Sequence, residues 1–171
     1  MKLQKTLPGH GRTPSDPVPA PANAPVTGFL PGTVMLTHRG EVAVEDLLPG
    51  DKIISRDAGL VRLTGISTTT SRVRTVRVAA GSLGDTRPEE DMDLPADHRI
   101  LLRDWRAKAV YGAAQAMAAI GDLIDGEFIT DQGERHLQLF RLEFDAPHIV
   151  YAGGLEVECG TATRTSLRNA A

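Results

Sequence analysis

The stretch from Gly28 to Asp51, GFLPGTVMLTHRGEVAVEDLLPGD, constrains the fold more than any other part of the chain. Its apolar runs are short, and turn signals fall between them. Pro31-Gly32 leads into Thr33-Val34-Met35-Leu36-Thr37, a run with strand character, and His38-Arg39-Gly40 turns the chain again. Glycine supplies the positive φ that tight turns need, and proline presets φ for a turn, so such pairs end one element and start the next. Val44-Glu45-Asp46-Leu47 reads as one helical turn, with Val44 and Leu47 inward and the carboxylates in solvent. Pro49-Gly50-Asp51 then hands the chain to Lys52-Ile53-Ile54-Ser55.

The same rhythm runs on. Expected strands are residues 34–37, 52–55, 60–70, 73–79, 100–102, 108–111, 128–130, 136–144 and 148–152. Turn signals stand at Asp57-Ala58-Gly59, Gly81-Ser82-Leu83-Gly84, Asp125-Gly126, Gln132-Gly133 and Gly153-Gly154. Short strands between regular turns argue an all-β domain. Gly133, between two of these strands, suggests a hairpin. The alanine-rich run 113–120 is the one segment with helical propensity, giving one short helix stopped at Gly121.

A chain of 171 residues holds one domain with a real core. Residues 1–27 are rich in proline and poor in large apolar side chains, so they read as a flexible leader. Residues 28–160 are the domain, and the polar residues 161–171 are a frayed tail. A net charge of −3, dispersed basic residues and scarce aromatics give no footprint for nucleic acid. No apolar run approaches the about 20 residues that span a bilayer, and the N-terminus lacks the apolar core of a secretory signal. Cytoplasmic residence is therefore the default. Cys159 is the only cysteine, so no internal disulfide forms.

The opening segment resembles the start of the Hint (hedgehog/intein) family, in particular its small bacterial branch, with the pattern C-F-x-x-G-T-x-I-x-T-x-x-G-x-x-x-V-E-D-L-x-x-G-D-x-V. Two later segments are similar to the same family. Leu94-Pro95-Ala96-Asp97-His98-Arg99-Ile100 looks like its S-P-x-H-R segment, and residues 144–155 look like its F-D-x-H-E-x-V-x-A-x-G-L ending, with Pro147 as an extra residue or a shift. The resemblance covers about residues 28–157. It implies a horseshoe-like β-disc of bent antiparallel strands whose ends bring residue 28, His98 and the last strand together.

What the family does is rearrange its own backbone. Its first cysteine attacks the preceding carbonyl, and an internal histidine polarises the scissile peptide and protonates the departing amine. By that resemblance His98 is the candidate acid, Asp97 the neighbour that sets its tautomer or solvates its cation, and Thr27 the residue before the scissile bond. The chain's own N-terminal segment would be the substrate, with no cofactor. His148 is a further candidate from the late strand; it also reads as an ordinary strand residue with a hydrogen-bond partner, as His98 reads as a polar residue of a strand-entry turn.

One position departs from the pattern. Where the family has its cysteine, this chain has Gly28, which has no side chain to attack anything. The Thr27 hydroxyl would shift the bond by one residue and is a far weaker nucleophile than a thiolate. Cys159 reads as a small packing residue. The tail also lacks the His-Asn pair that splicing requires. Three readings follow: a Hint-type domain silent in acyl transfer and kept as an interaction module, an active domain trapped by an engineered replacement at Gly28, or a β-domain that binds a peptide or small ligand in the old groove.

Other charged features invite blander readings. Histidines 10, 38, 98, 136 and 148 have no metal-ligand spacing. The acidic run 85–93 contains Pro88, lacks calcium-loop spacing and reads as a solvated loop. Arg72, Arg74 and Arg77 read as a wet sheet face.

Overall fold

A computed structural model describes residues 25–160. The leader up to residue 24, with His10, and the tail 161–171 lie outside the described residues. The elements in chain order are β1 (Val34–Thr37), β2 (Gly40–Ala43), a 3-10 turn (Val44–Asp46), β3 (Lys52–Ser55), β4 (Gly59–Arg62), β5 (Gly65–Val78), β6 (Met92–Pro95), β7 (Arg99–Leu102), α1 (Trp105–Tyr111), β8 (Ala116–Ala119), a second 3-10 turn (Ile120–Leu123), β9 (Ile129–Glu143), β10 (His148–Ala152) and β11 (Leu155–Cys159). They form an all-β fold of two antiparallel sheets. One sheet runs β2-β1-β3-β10-β11-β7-β8, with β4 paired to β3; the other runs β6-β5-β9. Because β3 and β1 border β10, and β10 pairs with β11, the last strands lie in the same sheet as the first.

The opening turns form because side chains there satisfy nearby backbone groups. Thr33 Oγ1 donates to the Leu30 carbonyl at 2.8 Å. Thr37 Oγ1 donates to the Gly40 carbonyl and accepts from the Arg39 N–H. Asp51 Oδ2 accepts from the Leu48 N–H at 3.0 Å, closing the Pro-Gly turn on itself. Val44 and Leu47 are buried, as expected. The Glu45 carboxylate, exposed at the surface, takes the Gly32 N–H at 2.8 and 3.0 Å, so it ties the first turn to the 3-10 turn instead of standing free in water. At the far end, Gly153 and Gly154 have φ of 56° and 82° and make the two-residue turn that joins β10 to β11.

Three expectations give way. The strand breaks placed near Ser71 and Gly133 do not exist: β5 and β9 are single strands of 14 and 15 residues paired along their lengths. Gly133, at φ 71°, sits in a β-bulge where Thr75 faces Gly133 and Val76 faces Asp131. Thr75 and Val76 are both fully buried there, the buried positions of β5 change parity between them, and the exposed arginines fall at 72, 74 and 77. They pair at the surface with Glu134, Asp131 and Asp93.

The short helix is also displaced. It covers Trp105–Tyr111, where a strand was expected, because Asp104 caps it by accepting the Arg106 N–H and Gly112 ends it at φ 69°. The alanines at 116–119 pair with Arg99–Leu102 as a strand instead, so tertiary pairing overrides their helix propensity. Gly121 lies in the second 3-10 turn, where a Cβ would stand 3.0 Å from the Ala96 carbonyl oxygen. Finally, the acidic run is not all loop. Met92 and Asp93 belong to β6, and Asp93 holds both Arg77 and Arg135.

Candidate active-site cleft

The cleft forms where the turn Pro95–His98, between β6 and β7, meets the segment entering the domain. That turn is fixed from several sides. The His98 N–H donates to the Pro95 carbonyl, the Ala96 N–H to Arg74, and the N–H groups of Ile120 and Gly121 to His98 and Ala96. Successive side chains of the turn point opposite ways: Asp97 is exposed and His98 is 2% exposed.

The His98 ring spans the first and last parts of the domain. Nδ1 lies 3.0 Å from the Gly28 carbonyl oxygen, and Nε2 lies 3.0 Å from the Glu158 carbonyl oxygen on β11. The Phe29 ring covers it, centroids 4.9 Å apart and tilted by 49°. Burial pushes the imidazole pKa below its ordinary value, against the two carbonyls, which favour the cation. A neutral ring carries one N–H and can donate to one of these carbonyls; the cation would donate to both.

Gly28 and Phe29 are packed tightly. Phe29 is 1% exposed, and its N–H and C=O both bond Phe140 of β9 at 2.8 Å. Gly28 has φ 143°, a conformation that L side chains rarely adopt. A Cβ at residue 28 would stand 3.1 Å from both Leu139 Cβ and the Phe140 carbonyl oxygen, and 3.4 Å from Arg141 Cγ. The position expected to be an empty nucleophile seat is walled by β9.

Asp97 takes a different partner from the one expected of it. Its Oδ2 accepts the N–H of Val26 at 3.0 Å, so it holds the backbone two residues ahead of Gly28. Thr27 lies between these anchored groups and is half-buried. His148 is committed elsewhere: Nδ1 stands 2.8 Å from Asp57 Oδ2 on the β3–β4 turn, and the ring meets Phe144 edge-on at 5.8 Å. The structure thus brings Gly28, Thr27, His98 and Asp97 together and joins His148 to Asp57. Cys159 is buried at the end of β11, and burial pushes its thiol up to about 12, which leaves almost no thiolate at neutral pH.

Three features of this region are not read from the sequence. Phe140 and the Glu158 carbonyl contribute backbone groups, which no residue type announces. Glu156 is 3% exposed on β11, where Arg56, Arg103 and Arg87 converge on it at 2.6, 2.8 and 3.4 Å. Its sequence context, Leu155-Glu156-Val157-Glu158, gives no sign that one glutamate is buried among arginines and the next is not.

The fold and the convergence of an N-terminal segment with a mid-chain histidine define a class of domain, and sequence comparison places the chain within it. The chain belongs to the Hint domain family, whose model matches residues 27–164. Among solved structures, it is similar to the bacterial intein-like domain from Clostridium thermocellum, with a TM-score of 0.55 at 17% identity, covering 80% of this chain and 99% of that one. It is also similar to a DnaB intein from Synechocystis sp. PCC 6803, with a TM-score of 0.56 at 14% identity, covering 80% and 100%. The gp41-1 intein gives 0.50 at 13% identity, covering 80% and 99%. At these identities the likeness is one of fold. No curated protein sequence matches the chain. Among the described residues, no helix is long and apolar enough to cross a membrane.

Proposed function

We propose that this chain is a Hint-type autoprocessing domain silent in acyl transfer, which retains its own N-terminal segment in the cleft where relatives of this type would cut. The observation that carries this reading is the seat at Gly28. An acyl shift needs a sulfur or oxygen on residue 28 to form a bond to the carbonyl carbon of Thr27 while the Thr27–Gly28 C–N bond breaks and the amine takes a proton. Gly28 supplies no such atom, and β9 crowds the place where one would begin, with Leu139 Cβ and the Phe140 carbonyl oxygen 3.1 Å from it.

The neighbouring groups do not replace it. The Thr27 hydroxyl lies on the acyl side of the bond. The Cys159 thiol is buried and protonated at neutral pH. His98 addresses the carbonyl of Gly28, one peptide beyond the bond that would break.

Intact mass after long incubation with and without dithiothreitol tests the reading, on the natural chain and on Gly28→Cys. Both are expected to stay whole. A Gly28→Cys protein that sheds a fragment ending at Thr27 would overturn it, since the remaining apparatus would then be competent and only the nucleophile missing.

A further inference from the structure

The cleft holds its segment almost entirely by main chain. From Val26 to Phe29, four backbone groups are received: the N–H of Val26 by Asp97, the C=O of Gly28 by His98, and both groups of Phe29 by the Phe140 backbone. Two successive residues of one turn therefore take backbone groups from either side of the Thr27–Gly28 peptide. The one side chain taken into the core is that of Phe29, buried against the His98 ring.

From this arrangement, and resting on the reading of the segment as a retained ligand, we propose that the cleft is a main-chain receptor for an extended peptide. Its recognition pattern is an N–H at residue 26, glycine at 28 and a large aromatic ring at 29, and Asp97 is the residue that reads position 26. Each element has its own physical cause. A carboxylate that accepts an N–H makes a charge-assisted bond, stronger than one to a neutral acceptor. Proline at 26 has no N–H to give. A Cβ at 28 meets Leu139 and Phe140 and is strained at φ 143°. The ring at 29 fills a closed pocket. The ligand class is thus an extended segment read by its backbone and by one ring, in the manner of a strand added to a sheet edge, here the outer edge of β9.

Hydrogen exchange of the 25–29 region and limited proteolysis, both on the full chain, test the proposal. Asp97→Ala is expected to raise exchange at Val26 and cleavage of the 25–28 segment about tenfold, while Asp97→Asn, whose neutral Oδ1 still accepts, raises them by less. For the double variant the readout is cleavage alone. Val26→Pro should reproduce the Asp97→Ala cleavage rate, and combining the two should add nothing, the mark of a direct pair. Unchanged exchange and cleavage in Asp97→Ala, or cleavage effects that simply add in the double variant, would overturn the assignment. These readouts do not depend on acyl transfer, so a fragment released by Gly28→Cys would defeat the silent-domain reading and leave this test standing.

Discussion

The turns of residues 30–51 and the cleft at residues 26–29 adjoin in sequence, yet they are held by opposite means. In the turns, Thr33, Thr37 and Asp51 bond groups two to three residues away, and Glu45 reaches thirteen. In the cleft, Val26 and Gly28 are received by residues 71 and 70 positions distant. The side-chain bonds of the family-like turns are therefore local, although β1 also pairs with the distant β10, and none of them needs a nucleophile. The cleft exists only once the rest of the domain has assembled around it. These turn bonds thus place no demand on the chemistry available at residue 28.

The comparison can be strained most severely at Phe29. Phe29→Ala removes the ring that covers His98 and should cost about 3–4 kcal/mol in denaturant unfolding; a loss below about 1 kcal/mol would mean that the segment is not part of the core. Next is Gly28→Ala, expected to cost about 2 kcal/mol from strain and overpacking. Gly32 is its control: φ there is also positive, 84°, but nothing lies within 4 Å of the point a Cβ would occupy, so Gly32→Ala should cost about 1 kcal/mol. Equal losses at the two glycines would show that β9 gives way and the wall is soft.

Protons offer a third probe. Burial lowers the His98 pKa in the folded state, so the unfolded chain binds its proton first as pH falls. Stability from this group is fully present above the unfolded value near 6.5 and is lost as pH drops toward the lower folded value, by at most about 1.4 kcal/mol per pH unit for one proton. Unfolding curves between pH 8 and pH 5 should show this decline and should lose it in His98→Asn. A decline of the same steepness in the variant would assign the acid sensitivity to another group. The smallest change belongs to the turns. Asp51→Ala removes the acceptor of the Leu48 N–H and an exposed partner of Arg39 and should cost about 1 kcal/mol, with residues 26–29 exchanging as before. Loosening of the cleft by this change would show that the two regions are not independent.

What the sequence disclosed follows the same division. Turns are written locally, by glycines, prolines and short polar side chains, so the all-β fold and strands such as β1, β3, β7 and β10 were legible, while β2, β6, β8, β11 and the order of strands in the sheets were not. The breaks proposed in β5 and β9 failed because Gly133 marks a bulge as readily as a hairpin, and only the partner strand decides which. The alanine run failed because its pairing with β7 is a tertiary event. In the cleft, residue types near His98 were recognisable, but Asp97's partner was not, since an amide 71 residues away has no signature. Glu156 and its three arginines are assembled from four separate parts of the chain and left no local trace.

The crowded seat at Gly28 also acts as a lock on what that position can become. With Leu139 Cβ and the Phe140 carbonyl oxygen 3.1 Å from the point a Cβ at residue 28 would occupy, a Gly28→Cys change alone meets a steric and torsional penalty before any catalytic benefit. The atoms in the way are Leu139 Cβ and a backbone oxygen, so room at residue 28 comes from a shift of β9 itself and not from trimming one side chain. A change at residue 28 and a move of its neighbouring strand are coupled, so neither is cheap alone.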